Sequence, residues 1–338
     1  MAAHAAAWRG TGRRLALAAV LLALAGCGAG RGAAPDAQGA QTAAAWPAIE
    51  PPQPRAAPVA PADGELAAFY AGVQGELTAS GRMRQDTAPT DAPFSVDDLV
   101  RNFERIALMD EYVDVGGRFV KHETPALLRR WTRPVRVGLV VGPSVPPEQA
   151  AQDRRNVTEF TARLARLTGL DMKMSDGPDV NFLVMVLNTE EQSVAAQATS
   201  AKFPGFQPAV LGAIANTPLD TFCTAYAFAE PTAPSTYAAV MVLIRAEHPP
   251  FTRLSCVHEE MAQAMGLPND SPEARPSLFN DSLEFAFLTE HDEILLRMLY
   301  DPRLRPGMSI AEAGPLLPAI ARDAMAAQGV RTTTVAKL

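Results

Sequence analysis

Histidine and cysteine are scarce in this chain, and basic charge is in deficit. Its 338 residues hold five His and three Cys, with 30 Lys and Arg against 37 Asp and Glu. A net charge of -7 excludes the basic stripe that nucleic acid demands. It also removes an electrostatic grip on anionic lipid. The apolar run Leu15–Leu24 is too short to span a bilayer comfortably. There is no internal repeat, and no second proline-rich linker follows residue 64. What is abundant is apolar surface: 48% of the residues are hydrophobic, enough for one sizeable core or two small ones.

Residues 1–26 read as a targeting segment and stand outside the fold. Arg9, Arg13 and Arg14 form a basic start, and Leu15–Leu24 is the apolar stretch behind it. The run Leu24-Ala25-Gly26-Cys27 resembles the bacterial lipobox. That resemblance implies cleavage before Cys27, acylation of its thiol and a lipid anchor. The alternative is an ordinary secretion signal with an incidental cysteine. Gly28 follows Cys27, and by the usual sorting rule the lack of Asp there implies the outer membrane, facing the periplasm. Residues 27–64 are mostly Ala, Pro and Gly and read as an extended tether.

Cleavage leaves Cys223 and Cys256. In an oxidising compartment the simplest expectation is a disulfide, contributing roughly 3–4 kcal/mol if unstrained. Two buried free thiols are the alternative.

The folded part is expected over residues 65–310, with 311–338 as a C-terminal tail. Leu66, Phe69, Tyr70, Val73 and Leu77 recur at helical spacing. Ser95 is placed to cap a second helix carrying Asp97 and Asp98 in its first turn. A short strand around Arg118–Val120 precedes the strong strand Val135–Val141. An amphipathic helix through Val157, Phe160, Leu164 and Leu167 ends at Gly169. Phe182–Leu187 and Tyr237–Ile244 are apolar strands, separated by proline-rich and polar segments. The pattern predicts an α+β fold: a mixed sheet with a crossover helix, an active-site-type helix beneath it and a small helical C-terminal subdomain. Thr289 and Asp292 are spaced as a capping box for the last of these helices.

Residues 256–270 read Cys256-Val257-His258-Glu259-Glu260-Met261-Ala262-Gln263-Ala264-Met265-Gly266-Leu267-Pro268-Asn269-Asp270. This run resembles the zinc helix of metzincin proteases with its ligands substituted. Such a helix carries His at i and i+4, with Glu beside the first as general base. A Gly then turns the chain ahead of a third His. In that frame Glu259 stands at the first ligand, Glu260 at the base, Gln263 at the second ligand, Gly266 at the turn and Asn269 at the third ligand. The spacing is kept and all three imidazoles are missing. A frame starting at His258 fails, because it places Ala262 at the second ligand and a methyl group cannot hold a metal. His258 is then a polar group at the cleft edge or on the surface.

Further runs extend the likeness. Ser277-Leu278-Phe279-Asn280 is similar to the metzincin Met-turn, with Phe279 where the Met would lie. Residues 94–308 resemble, more closely, a family of proteobacterial lipoproteins whose domain has no assigned function. Its hallmarks are the run just quoted, then Asn280-Asp281 and Leu299-Tyr300-Asp301-Pro302.

Val257, Met261, Ala264 and Met265 make an ordinary core stripe. Glu259 and Gln263 share the face beside it. The bland alternative has Ser255 as N-cap, with Glu259 and Glu260 serving only the helix dipole. Glu259, Gln263, Asn269 and Asp270 are hard oxygen donors, better matched to calcium or magnesium than to zinc. No metal and no cofactor is expected. The resulting expectation is a lipid-anchored, non-proteolytic binding module. Its cleft would comprise His258, Glu259, Gln263, Asn269 and Asp270, and its partner would be an envelope protein or peptide. The alternative is an envelope hydrolase using Glu260 and Glu259, with or without a non-zinc metal. A third reading is a structural protein of the envelope.

Overall fold

Three apolar runs build the centre of the main sheet. The computed structural model describes residues 64–114, 119–202, 208–280 and 282–329. The expectations for the signal segment, Cys27, the tether up to residue 63, Arg118 and Asp281 lie outside these residues. The chain runs α1 (Gly64–Ala79), α2 (Val96–Leu108), β1 (Met109–Asp114), β2 (Phe119–Pro125), β3 (Val135–Val141), α3 (Pro147–Thr168), β4 (Met172–Met174) and β5 (Phe182–Leu187). It continues with α4 (Thr189–Lys202), α5 (Pro208–Ala215), β6 (Cys223–Glu230), β7 (Ala233–Arg245), α6 (Pro250–Gln263), α7 (Glu290–Leu299), α8 (Ile310–Ala313) and α9 (Leu317–Gln328). The protein is of mixed α+β class.

The main sheet has the order β4-β3-β5-β7-β6, and β1 pairs with β2 in a separate antiparallel ribbon. β4, β3, β5 and β7 are parallel, while the edge strand β6 runs antiparallel to β7. A sheet covered on both faces needs apolar side chains on both, so its central strands do not alternate with polar residues. Phe182, Val184 and Val186 of β5 enter the larger core, as do Val240, Val242 and Ile244 of β7. Leu183, Met185 and Leu187 enter the smaller core on the opposite face, with Met241 and Leu243. The larger core is completed by α2, α3, α6, α7 and α9, and the smaller one by α4 and α5.

Local signals act as expected at several helix ends. Ser95 and Asp98 form a reciprocal capping box on α2, and Thr289 and Asp292 form one on α7. Gly169 closes α3 in the left-handed conformation.

Other expectations need correction. Ser255 does not cap α6. The helix begins at Pro250, where a proline at the first helical position loses no hydrogen bond, and Ser255 is buried inside it. The stretch between β5 and β7 is no mere connection, for it holds α4, α5 and the edge strand β6. Residues 311–338 are not simply a tail. Within them α9 packs against α2 and α7 and buries Leu317, Ile320, Ala321, Ala324 and Met325.

Candidate functional site

The site is built around the last turn of α6. That helix packs on β6, β7 and α3. Val257 and Met261 face the core, with Ala264 and Met265 just beyond the helix end. A disulfide joins Cys256 to Cys223, the first residue of β6, with the two Cα atoms 5.8 Å apart. Glu260 follows Cys256 by four residues and shares its helical face, so it too is aimed at the edge of the sheet.

The chain leaves α6 through Gly266, whose φ of 123° suits glycine. A Cβ there would lie 2.1 Å from the carbonyl oxygen of Arg129. The carbonyls at a helix C-terminus need outside donors. The indole Nε1 of Trp131 donates to Ala264 at 3.0 Å, and the Tyr300 hydroxyl donates to Met265 at 2.9 Å. Arg130 donates to the carbonyls of Leu299 and Leu304 at 2.6 and 2.7 Å, holding Tyr300 in place. The run Leu299-Tyr300-Asp301-Pro302 therefore anchors the end of α6.

Glu259 and Glu260 occupy this last turn, at the negative end of the helix dipole, and no acid stands in the first turn. The dipole cannot be what favours them, which removes the bland alternative. Oxygens of the two carboxyls and the Cys223 sulfur lie within 4.8 Å of one another. That sulfur is committed to the disulfide and is no metal ligand. Glu260 is 5% exposed. Burial, then the charges of Glu259, Asp270 and Glu111, push its carboxyl well above the usual range. Gln263 donates from Nε2 to Asp270 at 3.2 Å, so the loop after the helix folds back over it. Glu111, on β1, is paired with Lys121 of β2 at 2.9 Å.

Glu259, Glu260, Gln263 and Asp270 are thus brought together, with Glu111 added. Asn269 turns elsewhere. It is 2% exposed, and its Nδ2 donates to the carbonyl of Arg105 at 3.0 Å and to Glu123 at 3.3 Å. Its backbone N–H donates to Ile106 at 3.2 Å. Asn269 therefore satisfies carbonyls at the end of α2. His258 is also apart. Its ring stacks on Phe160 at 4.2 Å and lies 4.9 Å from Phe287, and its Nδ1 accepts from the Leu288 N–H at 3.1 Å. Burial, helped by the charge of Arg163, pushes its pKa down to about 3. Packing of α6 against α3 explains why this histidine is held away from the acids.

Phe279 is fully buried below the helix. His291 is enclosed as well, bonded to Asn102 at 3.0 Å and to Asp292 at 3.2 Å. Asp292 accepts from Ser277, Leu278 and Thr289, which ties the loop before α7 to that helix. Glu111 was not foreseen from the sequence, because Met109–Asp114 alternates too little to mark a strand and nothing local links it to α6.

The family model for proteins of unknown function designated DUF2927 matches residues 96–319. The chain belongs to the DUF2927 family. Its matched region spans every element from α2 to the start of α9, and so the whole acidic site. No curated protein and no solved structure matches this DUF2927 chain.

Proposed function

We propose that this chain is a lipid-anchored protein of the bacterial cell envelope, held at the outer membrane and facing the periplasm. Its zincin-like scaffold binds an envelope protein or peptide and does not cleave it. The observation that carries this reading is the fate of the three ligand seats. Two hold an acid and an amide, Glu259 and Gln263, and the third, Asn269, is bonded to the end of α2. Such a set is a poor zinc site, and without zinc Glu260 has no activated water to deprotonate. The scaffold likeness rests on the mixed sheet with its antiparallel edge strand beside α6. The anchor rests on Leu24-Ala25-Gly26-Cys27. No helix among the described residues is long and apolar enough to cross a membrane.

Metal analysis of the purified chain tests the first part, and stoichiometric zinc would overturn it. Fractionation of cells expressing Cys27→Ser tests the anchor. Release of the chain from the membrane is expected, whereas unchanged retention counts against lipidation.

A second reading is an envelope hydrolase acting on peptide or glycan. One observation favours it: two carboxyls within 4.8 Å of one another, one of them buried with its pKa pushed well above the usual range, are suited to divide into an acid and a base. Glu260→Gln then abolishes a turnover measured on envelope fragments while the fold persists. Equal turnover by both forms would exclude the role.

A further inference from the structure

α1 completes a helix start that the rest of the chain leaves open. The N-cap of α6 is Pro249, which has no side-chain group to cap with. The first N–H groups of a helix need outside acceptors. Gln74 of α1 is one: its Oε1 accepts from the N–H of Thr252 at 3.2 Å and from the Thr252 hydroxyl at 2.8 Å. One turn earlier Tyr70 is buried. Its hydroxyl donates to the Leu219 carbonyl at 2.9 Å, and its ring lies 4.3 Å from His248 and 5.8 Å from Phe222. One turn later Leu77 is buried with Met83 and Ala286, and Val73, Phe251 and Phe287 pack against them. Residues 70, 73, 74 and 77 stand at i, i+3, i+4 and i+7, the spacing by which a helix lies in a groove.

The helix that fills this groove is intrinsically weak. Gly72 and Gly75 stand inside α1 at exposed positions, where a Cβ would meet nothing within 4 Å. Packing therefore does not call for glycine at either place. Each lowers helix formation about fivefold relative to alanine. His248, against the Tyr70 ring, is buried with its Nδ1 lacking a hydrogen-bond partner, a cost that opening towards water relieves. The region matched to the family begins at residue 96, so the groove lies within it and α1 does not.

We propose that α1 is a self-bound strap in a groove that receives an amphipathic helix from an envelope protein, and that this helix displaces α1. The partner carries the chemistry that α1 now displays. An aromatic hydroxyl meets the Leu219 carbonyl, an amide oxygen four residues on meets Thr252, and an aliphatic side chain three further on meets the apolar floor. The strap reduces the apparent affinity for that helix by the fraction of chains in which the groove is open. This inference rests on the reading that the chain binds an envelope protein or peptide. It places that binding at the opposite end of α6 from Glu259 and Glu260.

A fluorescently labelled peptide of residues 64–81 carrying Gly72→Ala and Gly75→Ala is the probe, titrated by anisotropy against the full chain and its variants. Gln74→Ala in the full chain opens the strap and should tighten probe binding about fivefold. Gly72→Ala with Gly75→Ala in the full chain closes it and should weaken binding about tenfold or more. A probe that also carries Tyr70→Ala and Gln74→Ala should not bind. Hydrogen exchange on the full chain gives a second readout. Amides of α1 should exchange at least tenfold faster than those of α7, and the two glycine changes should slow α1 alone by about tenfold. No probe binding by the folded Gln74→Ala chain overturns the inference. Equal binding by all three chains also overturns it, because the peptide then sits elsewhere. Protection of α1 equal to that of α7 does so too. None of these results bears on zinc content or on release by Cys27→Ser, so the anchored, zinc-free reading stands or falls separately.

Discussion

Asp270 accepts a hydrogen bond from Gln263 at 3.2 Å, while its neighbour Asn269 points away and bonds the end of α2. The chain bends at Asn269, and the two neighbouring side chains face opposite ways, so a step of one residue decides which group meets the helix. The seat that spacing assigned to Asn269 is structural, and Asp270 closes the acidic site.

The first prediction concerns Glu260. Its pKa in the folded chain lies well above the ordinary 4.5, through burial first and neighbouring acids next. The folded state therefore holds a proton that the unfolded state releases once pH passes 4.5. The stabilising contribution is complete below that pH and is lost as pH rises towards the folded value. Glu260→Gln should raise stability at neutral pH and flatten this fall. Urea midpoints across the pH range are the measurement, and parallel curves for the two proteins would refute it.

His258 has the opposite sign. Its folded pKa is about 3 against an ordinary 6.5, so the unfolded chain takes up a proton first as pH falls. Stability from this ring is fully present above 6.5 and drains away towards about 3. Imidazole chemical shifts should report a neutral ring well below pH 6.5, with the proton on Nε2 because Nδ1 accepts from Leu288. An ordinary titration midpoint would contradict the enclosed position.

Removing the disulfide should be costly. It joins residues 33 apart and pins β6 to the face of α6 that carries Glu260. Cys223→Ala with Cys256→Ala is expected to lower stability by about 2–4 kcal/mol. Chemical denaturation reads the loss, and an unchanged midpoint would contradict it.

Gly266→Ala should be among the most damaging single changes near the site. The residue sits at a φ of 123°, and the new methyl would meet the Arg129 carbonyl at 2.1 Å. Backbone strain alone is on the order of 1–3 kcal/mol, and the clash adds to it. A melting temperature equal to that of the parent would rule out this tight turn.

Several elements were legible in the residues themselves. Phe182–Leu187 is a run of consecutive apolar residues and forms β5 with those same limits. Ser95 with Asp98 and Thr289 with Asp292 encode two helix starts through side chains that reach only three residues. Ser255 looked like another start, but Pro250 sets the first turn five residues earlier and buries that serine in the helix. β1 carries Asp110, Glu111 and Asp114 and lacks the alternation that marks a strand. Its pairing with β2 comes from across the chain, so no local signal announces it.

The sequence by itself determined the α+β class, the central strands, the two boxed helices and the missing imidazoles, because each depends on residue type and short-range spacing. It also placed Glu259, Glu260 and Gln263 on one helix. Only the tertiary structure decided that Glu111 and Asp270 join them while His258 and Asn269 do not. Those choices turn on how α6 is rotated against β6 and α3 and on which way a loop side chain points. Both follow from packing and hydrogen bonds between residues far apart in the chain.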